Sequence, residues 1–135
     1  MSLRVLDSYA LLSFFQDGAG AEQVERLLAK AELDGPKLLL SVVHWGEVYY
    51  TTMRRISQRV AEEKAREIAT LPIELVPVDA DLELVRQAAI YKASRKLAYA
   101  DAFAAALAKI RSAELVTGDA DFEQVDGEIK ILWLK

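Results

Sequence analysis

The stretch Arg4-Val5-Leu6-Asp7-Ser8-Tyr9-Ala10-Leu11-Leu12 joins a short apolar run to an acid and then to a helical pattern. We expect residues 4–6 to form a buried strand and a helix to begin just after Asp7. The same alternation of apolar run and helix recurs along the chain. Further strands are predicted at residues 38–40, 73–78, 115–116 and 129–134.

Helical patterns separate these strands. Apolar residues recur on one helical face in residues 24–31, 61–69 and 82–89, the last with Leu82, Val85 and Ala89, and residues 99–110 form an Ala-rich helix. Strands separated by helices favour parallel pairing through crossovers. The sequence therefore predicts one α/β domain over residues 1–135, a sandwich with a short, mostly parallel five-stranded sheet between helices. Ligands bind such sheets at the carboxyl ends of the strands.

The composition excludes several kinds of chemistry. The chain has 135 residues, no Cys and a single histidine, His44, which excludes disulfides, thiolate zinc sites and multi-histidine metal sites. No apolar run approaches the roughly 18 residues of a membrane span, and the N-terminus lacks the apolar core of a signal peptide. We therefore expect a cytoplasmic protein with no membrane association. The net charge of −4 argues against a nonspecific nucleic-acid binder.

Two acids follow predicted strands, at the end of the sheet where ligands bind. Asp7 comes directly after residues 4–6, and Asp119 follows residues 115–116. Each has a purely structural alternative, as a helix N-cap or a turn residue. We expect Asp121 to be the cap at the second position, because it immediately precedes Phe122 and Glu123.

Asp101 is the only charged residue between positions 97 and 108. Helical spacing places it on the same face as the small apolar residues Ala104, Ala105 and Ala108, which normally pack against a sheet. A carboxylate there costs several kcal/mol unless it is paired, protonated or bound to a metal. The structural alternatives are an N-cap or a buried pair with an arginine.

Glu47 is the sole acid between Asp34 and Glu62, on a helix that Ser41 can cap. The structural alternatives are a solvated residue or an ion pair with Arg54 or Arg55. Gly46 within this helix costs roughly 1 kcal/mol against alanine, and a close approach by another group would account for it.

Four acids without cysteine ligands indicate oxygen coordination, which suits Mg²⁺ or Mn²⁺. Two carboxylates about 4 Å apart repel by about 4 kcal/mol at an effective dielectric constant of 20, so a cluster needs a cation to stay ionised. Such ions polarise a phosphate and orient a water for in-line attack.

The quoted stretches resemble the motifs of PIN domains. Residues 5–12 resemble the opening motif of that family and residues 41–47 its second acidic helix. Residues 97–102 and 115–122 closely resemble the third and fourth motifs, and the resemblance runs from residue 4 to about residue 133. The size of the chain is similar to that of the toxin subunits of VapBC toxin–antitoxin pairs.

The resemblance implies a PIN fold and an endoribonuclease that depends on Mg²⁺ or Mn²⁺. The catalytic residues would be Asp7, Glu47, Asp101 and Asp119. Of these, Asp7, Asp101 and Asp119 would hold the metal, and Glu47 would position the metal or activate the water. Ser8, Thr117 and Asp121 match neighbouring family positions and would support the ligands.

The resemblance also implies partners: an RNA substrate, a cognate antitoxin and a second copy of the chain in a homodimer. Basic residues lie on either side of the acidic positions and are expected to contact RNA phosphates, or else to be solvated helix residues. They are Arg54, Arg55, Arg59, Lys92, Arg95 and Lys96.

Other functions remain as alternatives. One is a noncatalytic module of the same fold that binds RNA or protein. A phosphoacceptor domain of the response-regulator kind is disfavoured because no lysine directly follows the fourth strand. A phosphatase with an Asp-x-Asp nucleophile motif after the first strand is excluded because position 9 is Tyr9.

Overall fold

The structure is a computed structural model that describes residues 2–135. Five strands form one sheet, and every strand pair in it is parallel. The strands are β1 (Arg4–Leu6), β2 (Leu38–Ser41), β3 (Ile73–Val76), β4 (Glu114–Thr117) and β5 (Lys130–Trp133). The helices are α1 (Ser8–Gln16), α2 (Ala21–Asp34), α3 (Val42–Arg55), α4 (Gln58–Thr70), α5 (Glu83–Ser94) and α6 (Tyr99–Ile110), and a 3₁₀ helix spans Ala120–Val125. The predicted α/β/α sandwich is confirmed.

Residue alternation along the strands builds a core on each face of the sheet. Val5, Leu39 and Leu115 point into a core shared with α5 and α6. Their neighbours Leu6 and Val116 point into the opposite core, which contains residues of α1 to α4. Because both faces are covered, the interior positions of the central strands are apolar, as is usual in parallel sheets, and charged residues such as Arg4 and Glu114 lie at the strand ends.

Several predicted boundaries were wrong; β5, for example, spans Lys130–Trp133 rather than residues 129–134. β3 ends at Val76 rather than residue 78, because Pro77 has no N–H group to continue the ladder. In the region 82–89, Leu82 has a left-handed backbone (φ 68°), precedes the helix and is exposed. The buried face of α5 consists instead of Leu84, Ala88 and Tyr91, which have the same i, i+4, i+7 spacing in another register.

The strand order creates a switch point between β1 and β4. The order is β3-β2-β1-β4-β5, so the chain winds outward in one direction from β1 and in the other from β4. A crevice opens at such a switch point, outside the carboxyl ends of the two central strands. Asp7 follows β1 and Asp119 lies two residues after β4, so both acids emerge there. Among residues 2–135, no helix combines the length and apolar character that crossing a membrane requires.

Candidate active site

Asp7 is held at the end of β1 by two hydrogen bonds. One carboxylate oxygen accepts from the backbone N–H of Ala10 at 2.8 Å and caps α1, and the other accepts from the Thr117 hydroxyl. The side chain is 1% exposed. Burial raises the pKa of Asp7 to about 7, against the opposing effect of both hydrogen bonds, and the charges of Asp101 and Asp119 add to the rise. The N-cap prediction is confirmed, and the cap lies beside the other acids.

The segment after β4 brings two further acids to the same place. The Asp119 backbone N–H donates to the Thr117 hydroxyl at 3.0 Å, so Thr117 links Asp7 to Asp119. Asp119 accepts from the backbone N–H of Asp121 at 2.9 Å and caps the 3₁₀ helix. The expectation that Asp121 is the cap was wrong, because the helix begins at Ala120.

Asp101 lies in the first turn of α6 and is half-buried. Neither structural alternative holds: Ala98 occupies the N-cap position, and none of the ion pairs within residues 2–135 includes Asp101. Burial raises the pKa of Asp101 to about 7, and the charges of Asp119, Glu47 and Asp121 add to the rise. A carboxylate oxygen from each of Asp101, Asp119 and Asp121 lies within 4.8 Å of the others. Asp121 therefore joins this cluster, whereas Asp7 lies outside the three.

Glu47 approaches the cluster from α3. Its Oε1 accepts from the Ser8 hydroxyl at 2.8 Å, and its Oε2 accepts from the Tyr50 hydroxyl at 3.3 Å. The predicted pairing with Arg54 or Arg55 is absent within residues 2–135; Arg54 lies over the ring of Tyr50 instead, 5.1 Å from the centroid. The charge of Glu47 is the main cause of a raised pKa at Tyr50.

Two glycines near the site differ in what surrounds them. A Cβ added at Gly46 would meet no atom within 4 Å, so a close approach does not account for this glycine. A Cβ added at Gly118 would lie 2.3 Å from the ring of Tyr9. Gly118 thus lets the first helix approach the segment between Thr117 and Asp119.

His44 is the site residue that sequence reasoning left without a role. It is fully buried, its Nδ1 accepts from the backbone N–H of Ser8 at 2.8 Å, and its Nε2 donates to the Ala100 carbonyl at 2.7 Å. Nδ1 also lies 3.3 Å from Glu47 Oε1. The i, i+3 spacing of His44 and Glu47 was the available sequence signal, since it places both on one side of α3.

The carboxyl edge of the sheet carries acidic side chains that no lysine or arginine within residues 2–135 neutralises. Within residues 2–135, no lysine or arginine nitrogen lies within ion-pair distance of Asp7, Glu47, Asp101 or Asp119. Carboxylates so close together cannot all ionise without a cation. The donors of Asp101, Asp119 and Asp121 are carboxylate oxygens, which fit a hard divalent ion such as Mg²⁺ or Mn²⁺.

Family comparison accounts for this arrangement. A family model described as the PIN domain matches residues 4–128. The chain belongs to the PIN domain family. Members of that family are typically nucleases and generally depend on a divalent metal. The acidic edge of this PIN domain lies within the matched residues.

Solved structures share the fold at low sequence identity. The VapBC2 structure from Rickettsia felis has a TM-score of 0.74 at 12% identity, covering 98% of this PIN domain and 99% of that chain. The DNA-bound VapBC structure from Salmonella typhimurium has a TM-score of 0.72 at 15% identity, covering 98% of both chains. VapC20 of Mycobacterium tuberculosis, described as a toxin that cleaves the sarcin–ricin loop, has a TM-score of 0.68 at 22% identity, covering 89% and 92%. No curated protein sequence matches the chain.

The basic residues near the PIN-domain site have different surroundings. The Lys92 ammonium donates to the Leu97 carbonyl at 2.9 Å, and Arg95 bonds to the Gln124 carbonyl and pairs with Glu128. Both therefore hold the loop before α6 in place. Arg59 pairs with Glu63 on α4 at 2.6 Å. Arg54, Arg55 and Lys96 are exposed, and a role of the basic residues in RNA binding stays a prediction.

Proposed function

We propose that this PIN domain is a Mg²⁺- or Mn²⁺-dependent endoribonuclease that acts as the toxin of a toxin–antitoxin pair. The observation that carries the proposal is the cluster of Asp101, Asp119 and Asp121 beside Asp7 at the switch point of the sheet. The pKa of Asp7 and of Asp101 is raised to about 7, and among residues 2–135 no lysine or arginine lies within ion-pair distance of these acids. Such a site destabilises the metal-free protein and is stabilised by a divalent cation.

Different side chains of the site would hold the metal ion and orient the attacking water. Asp101 and Asp119 would hold the ion, with Asp121 close enough to join them and Asp7 behind, fixed by Thr117. A bound Mg²⁺ or Mn²⁺ would supply the positive charge that polarises a phosphodiester and favours ionisation of a water. Glu47, oriented by the Ser8 hydroxyl, would orient the attacking water and accept its proton.

Arg54 is the basic residue best placed to contact substrate. It stacks over Tyr50, whose hydroxyl reaches Glu47, so its guanidinium lies beside the acidic edge while remaining exposed. A guanidinium in this position would bind a phosphate flanking the scissile bond.

The toxin role rests on the structural relatives. A structure described as a toxin–antitoxin complex from Klebsiella pneumoniae shares this fold with a TM-score of 0.68 at 18% identity. A Mycobacterium tuberculosis structure described as a member of the VapBC family of toxin–antitoxin systems shares it with a TM-score of 0.63 at 19% identity. By analogy we propose a cognate antitoxin as the protein partner, a homodimer as the assembly and the cytoplasm as the location.

The test is cleavage of a structured RNA by the purified chain in Mg²⁺, in Mn²⁺ and in EDTA. We expect cleavage in both metals, none in EDTA, and at least a hundredfold loss in Asp119→Asn. Glu123→Gln is the matched control, because Glu123 is an exposed acid of the same 3₁₀ helix outside the cluster, and it should cleave normally. Metal-dependent RNA binding without cleavage by the wild type would favour the noncatalytic binding module instead.

A further inference from the structure

One imidazole links three of the segments that carry the acidic residues: its own helix and two others. His44 extends from α3, one turn before Glu47, and bonds to the backbone of Ser8 in the first turn of α1 and of Ala100 in the first turn of α6. Ser8 directly follows Asp7, and Ala100 directly precedes Asp101. Within residues 2–135, no other side chain hydrogen-bonds to the first turns of both α1 and α6.

The two hydrogen bonds define the state of the ring. A backbone N–H only donates, so Nδ1 must present its lone pair to Ser8; a carbonyl only accepts, so Nε2 must carry the proton toward Ala100. The imidazole is therefore the neutral Nε2–H tautomer. Burial lowers the pKa of His44 against the opposing effects of Glu47 and Ala100, which agrees with a neutral ring.

His44 also has the geometry of a ligand, because its nearest nitrogen lies within 4.8 Å of carboxylate oxygens of both Glu47 and Asp101. Both nitrogens are already engaged, however, so coordination would require breaking the bond to Ser8 and would leave one of the first N–H groups of α1 without its partner. The bonds favour a role in placing the acids over a role in binding the ion.

We propose that His44 is a positioning residue that sets the distance between Glu47 on α3 and Asp101 on α6 by tying both helices to the start of α1. The inference rests on the proposed function and extends it to a residue outside the acidic set. Ligand geometry must hold within about 0.5 Å for productive binding, so small movements of α6 would weaken metal affinity without unfolding the protein.

Three substitutions separate the two bonds. His44→Asn keeps an acceptor near the Nδ1 position, His44→Gln keeps a donor near the Nε2 position, and His44→Phe keeps the ring volume but neither bond. Titration of the purified proteins with Mn²⁺, followed by electron paramagnetic resonance, should give a dissociation constant at least tenfold higher for His44→Phe and intermediate values for Asn and Gln. In RNA cleavage, kcat should fall with the same rank while KM for RNA stays within twofold.

A matched control measures general destabilisation. Ile68→Ala opens a cavity near the C-terminal end of α4, next to the amino ends of the strands, and should lower the melting temperature while leaving the Mn²⁺ dissociation constant within twofold. If His44→Phe does not fold, the Asn and Gln variants carry the test.

The outcomes are distinct. Wild-type Mn²⁺ affinity in the His44 variants, or an equal loss in Ile68→Ala, would overturn the positioning role alone. A wild-type chain that binds no Mn²⁺ would overturn the proposed function and the positioning role with it.

Discussion

Strands β1 and β4 lie side by side, and their two ends differ in how charge is arranged. At the amino ends, Arg4 and Glu114 are register partners, and the arginine donates to the carboxylate at 3.0 Å. At the carboxyl ends, three residues further along, Asp7 meets Thr117 and Asp119, and within residues 2–135 no lysine or arginine pairs with either acid. The pair at one end neutralises itself, whereas the acids at the other end require a cation that the described chain does not supply. This difference separates a structural ion pair from a binding site on the same two strands.

The largest effect is expected from Asp101→Asn. The amide keeps the volume but removes an anionic ligand, so metal-dependent RNA cleavage should fall at least a hundredfold. In EDTA the variant should be as stable as the wild type or more stable, because carboxylate repulsion is relieved. Thermal unfolding in EDTA beside the cleavage assay checks both parts. Strong destabilisation, or cleavage at the wild-type rate, would assign Asp101 another role.

Gly118→Ala should be the next most damaging change. The added methyl group would meet the Tyr9 ring at 2.3 Å, so the ring or the backbone must shift, at a cost of about 1–3 kcal/mol in the free energy of unfolding. Urea denaturation measures the loss. The loss caused by Gly118→Ala should be smaller in a protein that already carries Tyr9→Ala than in the wild type. Gly46→Ala is the control, because a methyl group added there would meet nothing within 4 Å; equal losses at both glycines would contradict the steric explanation.

The stability of the metal-free protein should depend on pH because Asp7 and Asp101 have raised pKa values. The pKa of Asp7 and of Asp101 rises from 3.8 to about 7 on folding, so between these values the folded state holds protons that the unfolded chain has released. The free energy of unfolding contributed by these groups therefore falls as pH rises through that window. After discounting for the partial exposure of Asp101, we expect a loss of roughly 3–4 kcal/mol between pH 5 and pH 8 in EDTA.

Asp101→Asn provides the comparison for that measurement, because it removes one of the two groups. The variant should lose less stability than the wild type over the same pH range, and saturating Mg²⁺ at pH 8 should restore stability in the wild type. Identical pH profiles for the two proteins would show that Asp101 does not contribute to the pH dependence of stability.

The smallest effect is expected at the amino ends. Glu114→Gln removes the partly exposed ion pair with Arg4 and should cost less than about 1 kcal/mol, with RNA cleavage unchanged. Urea denaturation and the cleavage assay check this directly. A loss of cleavage comparable to that of Asp101→Asn would abolish the contrast between the two ends of the sheet.

Local features of the sequence were sufficient for much of the fold and for the candidate acids. Apolar runs and helical periodicity act over a few residues, which is why the strands and the helices were predicted with small errors in their bounds. An acid directly after a buried strand must emerge at the edge of the sheet, so the placement of Asp7 follows from its position alone. The isolation of Asp101 in an Ala-rich helix likewise indicated a buried or half-buried charge.

The tertiary structure alone decided how these residues meet. Thr117 bonds to Asp7 across 110 positions of sequence, and His44 bonds to Ala100 across 56, because the strand order brings β1 beside β4 and α3 beside α6. The same holds for Arg95, whose partner Glu128 is 33 residues away. Contacts of this range depend on strand order and helix packing, which local propensity does not encode. The sequence by itself therefore determined which residues have unusual chemistry, and the packing of the sheet and helices decided which of them act together.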